Sequence, residues 1–366
     1  MHKYSQLKAL MAITKASLIS IFRSPQAVFF SLFFPIVLIL IFGAIGGGGG
    51  LSVDVAIDHR ADTANPIYQA ITHDPVFDVK KGGQDTLEDM MKKGRITALI
   101  NITKNGDTAS GAAYNVHLIS SSANLREMPA LRSVMRDVIH TIDDASNRRI
   151  VTVGKITEEQ VPGREYKMID FYLPGMIGFS MIGAAVFGVA FLFFNLRESL
   201  VLKRLYASPV NRRNIIIGET LSRIIFQLLT VVVLVLFGRY FYGFTLANGW
   251  ITFVEILLVT LVGLLVFMGA GFVISSVAKN QNVIPIYSNL FMFPQYFLSG
   301  TFFPKNILPS GVQWLVEALP LTALNDALRK ISFEGAHLYN CGKQLGILGV
   351  WGIVVYFIAI KVFRWE

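Results

Sequence analysis

The sequence predicts a polytopic α-helical membrane protein with six transmembrane helices and an inserted α/β extracytoplasmic domain. Three observations predict it. The 366 residues are 53% hydrophobic and only 16% charged, where a soluble chain carries about 25% charged residues. Apolar runs of the ~20 residues that a helix needs to cross a bilayer recur along the chain. Between residues 51 and 169 the character changes, because the apolar runs shorten and charges of both signs mix.

Residues 1–24 come first and predict a cytoplasmic amphipathic helix. Leu7, Leu10, Met11, Leu18, Ile21 and Phe22 share a stripe at helical spacing, and Lys3, Lys8, Lys15 and Arg23 are the only charges. Such a helix lies in the membrane interface. The apolar run that follows is too long for the core of a typical signal peptide. Residues 25–46 are transmembrane helix 1, with a kink expected at Pro35. The glycines at 46–50 form a hinge out of the membrane.

The inserted domain spans 51–169. Alternation and β-branching predict strands at 52–57, 76–79, 96–102 and 115–119, and helical spacing predicts helices at 66–72, 86–93 and 131–150. Residues 171–363 hold transmembrane helices 2–6, at 171–194, 216–240, 250–277, 283–298 and 345–362. The fifth is short and carries Pro285 and Pro294. Residues 299–341 are semi-apolar and read as short outer re-entrant or interfacial helices, which a membrane tolerates where protein buries the backbone.

Charge sets the expected topology. The proposed inner segments hold 12 Lys and Arg, the short outer ones 5, so both termini belong in the cytoplasm and the chain in the cell inner (plasma) membrane. The net charge of +9 is part of that pattern. Residues 51–170 carry −2, and the surplus sits in short loops and tails, so no nucleic-acid partner is expected. Cys341 is the only cysteine, which excludes an intrachain disulfide. The six histidines lack metal-ligand spacing. The chain has no G-x-x-x-x-G-K-[ST] phosphate loop and no evident nucleophile motif. No catalytic site, metal or cofactor is expected in this chain.

Two stretches carry a family resemblance. The loop 195–218 is a basic island between apolar runs, and 197–206 reads as a short amphipathic helix ended by Pro209. Its RESLVLKRLYASPVNRR resembles the loop between helices 2 and 3 of the ABC type-2 exporter permeases. The second stretch, SGTFFPKNILPSGVQWLVEALPLTALNDALR, resembles that family's segment after helix 5, with Phe303, Pro304, Pro309, Pro320, Leu321, Thr322 and Arg329 matching in order. The inserted domain resembles that of the family's longer members, so the likeness covers essentially the whole chain.

The resemblance implies the membrane subunit of an ATP-driven exporter, with an ABC ATP-binding subunit as partner, ATP and Mg bound on that partner, and a second permease copy or paralogue beside it. It implies a coupling helix made of Arg197, Glu198, Leu200, Lys203, Arg204, Leu205, Tyr206 and Pro209, pairing with the ATPase or with membrane lipids. It places a path for a hydrophobic or amphipathic substrate (a drug, antibiotic or lipid-like compound) near helices 2 and 5. Candidates there are Ser180 and Ala184, which form a small face with Gly188, and Asn289, Phe293, Gln295 and Phe297. The same small face suits plain helix packing, and the same phenylalanines suit lipid contact. Phe303, Pro304, Pro320, Thr322 and Arg329 form the expected outer gate, with Glu317 and Asp326 grouped around Arg329. Among charges inside the spans, Glu219 is expected to pair with Arg223 and Glu255 with Arg239. A second reading is a non-transporting, membrane-anchored envelope sensor or assembly protein whose outer domain binds a ligand or partner. An anchor needs only one or two spans, which favours the exporter.

Overall fold

The computed structural model describes residues 5–45, 53–74, 76–92, 96–105, 112–121, 128–145, 152–161, 167–198, 211–305 and 308–362. The chain divides into two compact units, a helical one of Met1–Ala44 with Met168–Glu366, and one of Ile45–Lys167.

Helix α1, Gln6–Phe22, starts where the Ser5 side chain accepts from the Lys8 N–H, satisfying one of the orphan donors of a first turn. Helix α2, Pro25–Val28, repeats the device with Ser24 and places Pro25 where a helix lacks an N–H partner anyway. It widens into a π-turn at Phe29–Phe33 and continues as α3, Phe34–Ile45. The expected kink at Pro35 takes this form. Proline has no N–H to give to Ser31, four residues back.

The second unit is a five-stranded sheet with helices on both faces. Its elements are β1 (Val53–Ile57), α4 (Pro66–His73), β2 (Phe77–Lys80), α5 (Gln84–Lys92), β3 (Ala98–Lys104), β4 (Ala112–Ser121), α6 (Met128–Ala145) and β5 (Thr152–Val161). The strand order is β2-β1-β3-β4-β5. All neighbours run parallel except the β3–β4 pair. Ile67 and Ile71 of α4 and Leu131 and Met135 of α6 pack with Val55, Ile100 and Val116 on one face. Leu87 and Met91 of α5 cover Ala56 and Leu99 on the other. Strand β5 has no counterpart in the sequence reading. Lys155, Glu158 and Glu159 dilute its alternation, and it joins an edge where such residues stay in water. Arg132 of α6 holds Glu158 through two bonds of 2.7 and 2.6 Å.

The helical unit resumes with α7 (Met168–Glu198), α8 (Arg212–Tyr242), α9 (Trp250–Val277), α10 (Val283–Leu298), α11 (Ser310–Ala318), α12 (Pro320–Arg329) and α13 (Gly342–Val362). A π-turn at Lys330–Glu334 and a 3-10 turn at Leu338–Cys341 join the last two. The core is centred on α7 and α9 with Phe193, Phe194, Phe267 and Met268. Their backbones approach closely at Gly271, where a Cβ would lie 2.9 Å from the Val186 carbonyl oxygen.

Five segments among the described residues have the length and composition of membrane spans, namely Pro25–Phe42, Met168–Glu198, Arg213–Tyr242, Trp250–Val277 and Leu338–Val362. The expected helix 5 falls short of this description. It is α10, whose 16 residues reach about 24 Å at 1.5 Å per residue, against a hydrocarbon core of ~30 Å. Helix α8 begins at Arg212, inside the stretch expected to be loop. Residues 299–341 form the short helices α11 and α12 and two tight turns.

Helix α1 packs along the start of α8. Gln6 Oε1 accepts from the Asn211 N–H at 3.1 Å and from Asn214 Nδ2 at 3.0 Å, Ile13 fills the space beside Gly218, and Ser17 donates to Glu219 Oε2 at 2.5 Å. The seam mixes polar and apolar contacts, with the Phe22 ring edge-on to Phe226 at 5.2 Å. Leu7, Met11 and Phe22 of the expected apolar stripe stay exposed within the chain.

Candidate permeation and gating site

Helix α10 has two distinct faces. Ile284, Ser288, Met292, Gln295 and Tyr296 are buried, whereas Ile286, Leu290, Phe293 and Phe297 are exposed at helical spacing. Phe293 is 52% exposed and Phe297 63%. Beside the exposed face runs a column of rings. Phe42 stacks on Tyr172 at 4.6 Å and meets Phe302 at 6.3 Å. Phe302 meets Phe179 at 5.7 Å, and Phe179 meets Tyr296 at 4.5 Å. Phe293 and Phe297 join its flank through Tyr296 and Phe302. The column draws on α3, α7, α10 and the turn after α10, which no local spacing reveals.

Two of the polar residues expected to line a path are buried in contacts between helices. Gln295 is buried and bridges two helices: its Nε2 donates to the Phe291 carbonyl, and its Oε1 accepts from the Leu321 N–H at 3.2 Å. That acceptor meets an orphan donor in the first turn of α12. Ser180, also buried, donates to the Ser31 carbonyl at 2.6 Å and accepts from Gln227 Nε2 at 3.2 Å. It thus takes the carbonyl that Pro35 leaves without a donor. Ala184 and Asn289 are half-buried. Gly188, on the small face, makes room for Arg223, whose guanidinium nitrogen lies 2.6 Å from where a Cβ would stand.

The outer-gate residues separate into two groups. Arg329 fastens the turn after α10 to the start of α7. It donates to the Phe171 carbonyl at 3.2 and 3.3 Å and to the Gly300 carbonyl at 2.5 Å, with its guanidinium 4.0 Å over the Phe171 ring. Gly300 has φ of +70°, a conformation that glycine adopts without strain. Asn325, one turn before Arg329, donates to the Ser299 carbonyl and to Thr301 Oγ1. Pro320 and Thr322 are buried in the same helix. Phe303 and Pro304 are exposed.

Two of the three expected charge groupings change partners. Asp326 pairs with Lys305 at 2.5 Å and Glu317 with Lys343 at 2.7 Å, rather than gathering around Arg329. The Lys343 hydrogen bond, followed by the Lys343 and Lys305 charges, holds the Glu317 carboxyl below its ordinary range. Glu255 accepts from the Leu338 N–H at 3.1 Å and lies 3.2 Å from His337 Nδ1. Arg239 instead donates to the Phe244 carbonyl, in the turn that Gly243 opens with φ of +66°. Glu219 accepts from the Ser17 hydroxyl, and its charge also acts on the Arg223 guanidinium, the expected partner.

At the other end of α7, Arg197 donates to the Ala278 carbonyl at 2.9 Å, where α9 ends. A cation there also suits the negative end of the helix dipole. Glu198 is exposed. Leu200, Lys203, Arg204, Leu205, Tyr206 and Pro209 lie outside the described residues.

Sequence reasoning missed Asn325, Gln227, Asp170 and His337. Asp170 is buried and accepts from the Thr245 N–H at 2.8 Å and its hydroxyl at 3.1 Å. A polar residue inside an apolar run was the available signal, but its partners lie far away in sequence. Among the described residues no group of three or more His, Cys, Asp or Glu side chains is placed to hold a metal.

Comparison with known proteins decides the family. Residues 26–361 match the sequence profile of the ABC-2 family transporter proteins. The chain belongs to the ABC-2 transporter family. It is 24% identical to the linearmycin resistance permease protein LnrN of Bacillus subtilis, over 97% of both chains. It is 25% identical to ABC transporter G family member 20 of Dictyostelium discoideum, over 98% of this chain and 51% of that protein. It is 26% identical to nodulation protein J of Rhizobium meliloti, over 56% of this chain and 76% of that protein. This ABC-2 protein is therefore a membrane permease subunit of an ABC exporter. ABC-2 membership implies partnership with an ABC ATP-binding subunit.

Proposed function

We propose that two copies of this chain, or one copy and a paralogue, carry a hydrophobic or amphipathic compound out of the cytoplasm by alternating access. ATP and Mg act on a separate ATP-binding subunit. The observation that carries this reading is the exposed apolar face of α10, with Ile286, Leu290, Phe293 and Phe297 beside the aromatic column. Such a face on a partly buried helix suits a second copy on one side and an apolar cargo between the two. A relative named as a resistance permease supports efflux. In this reading α10 completes a sixth crossing together with the turn that follows it, the bilayer thinning locally to match. Six crossings leave both termini cytoplasmic in the inner membrane and the sheet unit outside. The ATPase docks on residues 197–209. Because Arg197 ties the end of α7 to the end of α9, docking there moves two central helices together as levers.

The test is the double substitution Phe293→Ser and Phe297→Ser in the complex with its ATP-binding partner. Both side chains are mostly exposed and outside the buried core, so the fold of one copy should persist. Basal ATP hydrolysis should persist while its stimulation by hydrophobic compounds falls several-fold. Undiminished stimulation would remove α10 from the path.

A further inference from the structure

A polar cavity of about 230 Å³ opens between α11, α12 and α13, lined by Lys305, Glu317, Asp326, Lys330, Lys343 and Gln344 with two apolar residues. Four of its charges cancel in two pairs, Lys305 with Asp326 and Lys343 with Glu317. Lys330 is the surplus. Among the described residues no carboxylate comes within 4.0 Å of its ammonium. The cavity therefore carries one net positive charge. Gln344 is only 7% exposed, and its Oε1 is buried with no hydrogen-bond partner. A half-turn of that carboxamide would present its Nε2 donors instead. An unmet buried amide is unfavourable, so a group that satisfies it gains by entering.

We propose that this cavity holds the phosphate of an anionic lipid headgroup. A lysine ammonium is a point-charge phosphate binder, and the first turn of α13, which supplies Lys343 and Gln344, favours negative charge. The cavity sits at the end of an apolar span, Leu338–Val362. Trp314 and Tyr339 are both largely exposed near that end. Indole and phenol rings collect at the level of the headgroups. The paired lysines repel a free cation, while Glu317 and Asp326 keep the net charge at one, which suits a singly charged phosphodiester. The proposal rests on reading α13 as a membrane span and is independent of the transport path and the coupling helix.

The experiment is thermal unfolding of the purified full chain in detergent, titrated with phosphatidylglycerol, with phosphatidylcholine, or with sodium phosphate. A ligand of the native state raises the midpoint in proportion to its occupancy. Phosphatidylglycerol should stabilise the protein at lower concentration than phosphatidylcholine. Lys330→Gln should weaken that effect about tenfold, the size of one lost charged hydrogen bond. Gln344→Leu should weaken it as well. Lys81→Gln, an exposed lysine of the sheet unit, removes the same charge and should change nothing. Equal response to the two lipids, or a Lys330→Gln protein with undiminished affinity, would overturn the site. Stabilisation by sodium phosphate at the lipid's working concentration would overturn the lipid as its source.

Discussion

The spans fall into a hub and a rim, and hydropathy does not separate them. Helices α7 and α9 form the hub, with 61% of the residues in their most apolar windows buried inside the chain. The first and last spans form the rim, at 17%. Their mean hydropathies overlap. What differs is how small and polar residues are used. At Gly271 in the hub an added Cβ would strike the backbone of α7, whereas Gly346 and Gly349 in the rim have nothing within 4 Å. Lipid is as apolar as leucine, so helices associate through close approach and hydrogen bonds rather than through greasiness. The hub has both, and the rim is held at scattered points, by Ser180 on the Ser31 carbonyl, Tyr356 on the Leu265 carbonyl and Trp351 on the Ala318 carbonyl.

Three tests probe that division, in falling order of expected effect. Arg329→Gln removes three hydrogen bonds that fasten α12 and the turn after α10 to α7, at a cost of roughly 3 kcal/mol. The purified protein should melt markedly lower, and an unchanged midpoint would mean that the hub does not depend on this clamp. Gly271→Ala and Gly349→Ala form a matched pair. The first should cost about 2 kcal/mol through overpacking, and the second should be neutral or stabilise by ~0.5 kcal/mol because alanine favours helix. Equal shifts for the two would erase the distinction. Ser180→Ala tests the tie between hub and rim and should cost about 1 kcal/mol by leaving the Ser31 carbonyl unmet. In a Pro35→Ala background part of the cost should vanish, since the backbone can then satisfy that carbonyl itself, while Gln227 still lacks its acceptor. Strict additivity in this cycle would break the link.

Much of the helical and sheet layout is legible in the sequence. The apolar runs at 171–194 and 250–277 appear as α7 and α9, and the alternation around 52–57 and 115–119 as β1 and β4. Strand β5 escaped because an edge strand tolerates charges that blur its period. The candidate site was less legible. Phe293 and Phe297 stood out as aromatic residues in a short span, but the rest of the column, Phe42, Tyr172 and Phe302, converges only in three dimensions. Ser180 and Gln295 were visible as polar residues in apolar runs. Their jobs as partners for orphan backbone groups depend on Ser31 and Leu321, which no spacing connects to them. The charged pairs failed for a related reason. Glu255 and Arg239 were matched by depth, yet each found a backbone group nearer at hand.

The sparse burial of the first span has a consequence for biogenesis. This segment is synthesised before α7, and the whole sheet unit is made between them. With few tertiary contacts of its own, it enters the bilayer on composition alone and serves as an anchor for the nascent chain. The carbonyl of Ser31 stays without its hydroxyl partner until α7 follows. Insertion and assembly are therefore separate events for this helix, and the second waits for the arrival of Ser180.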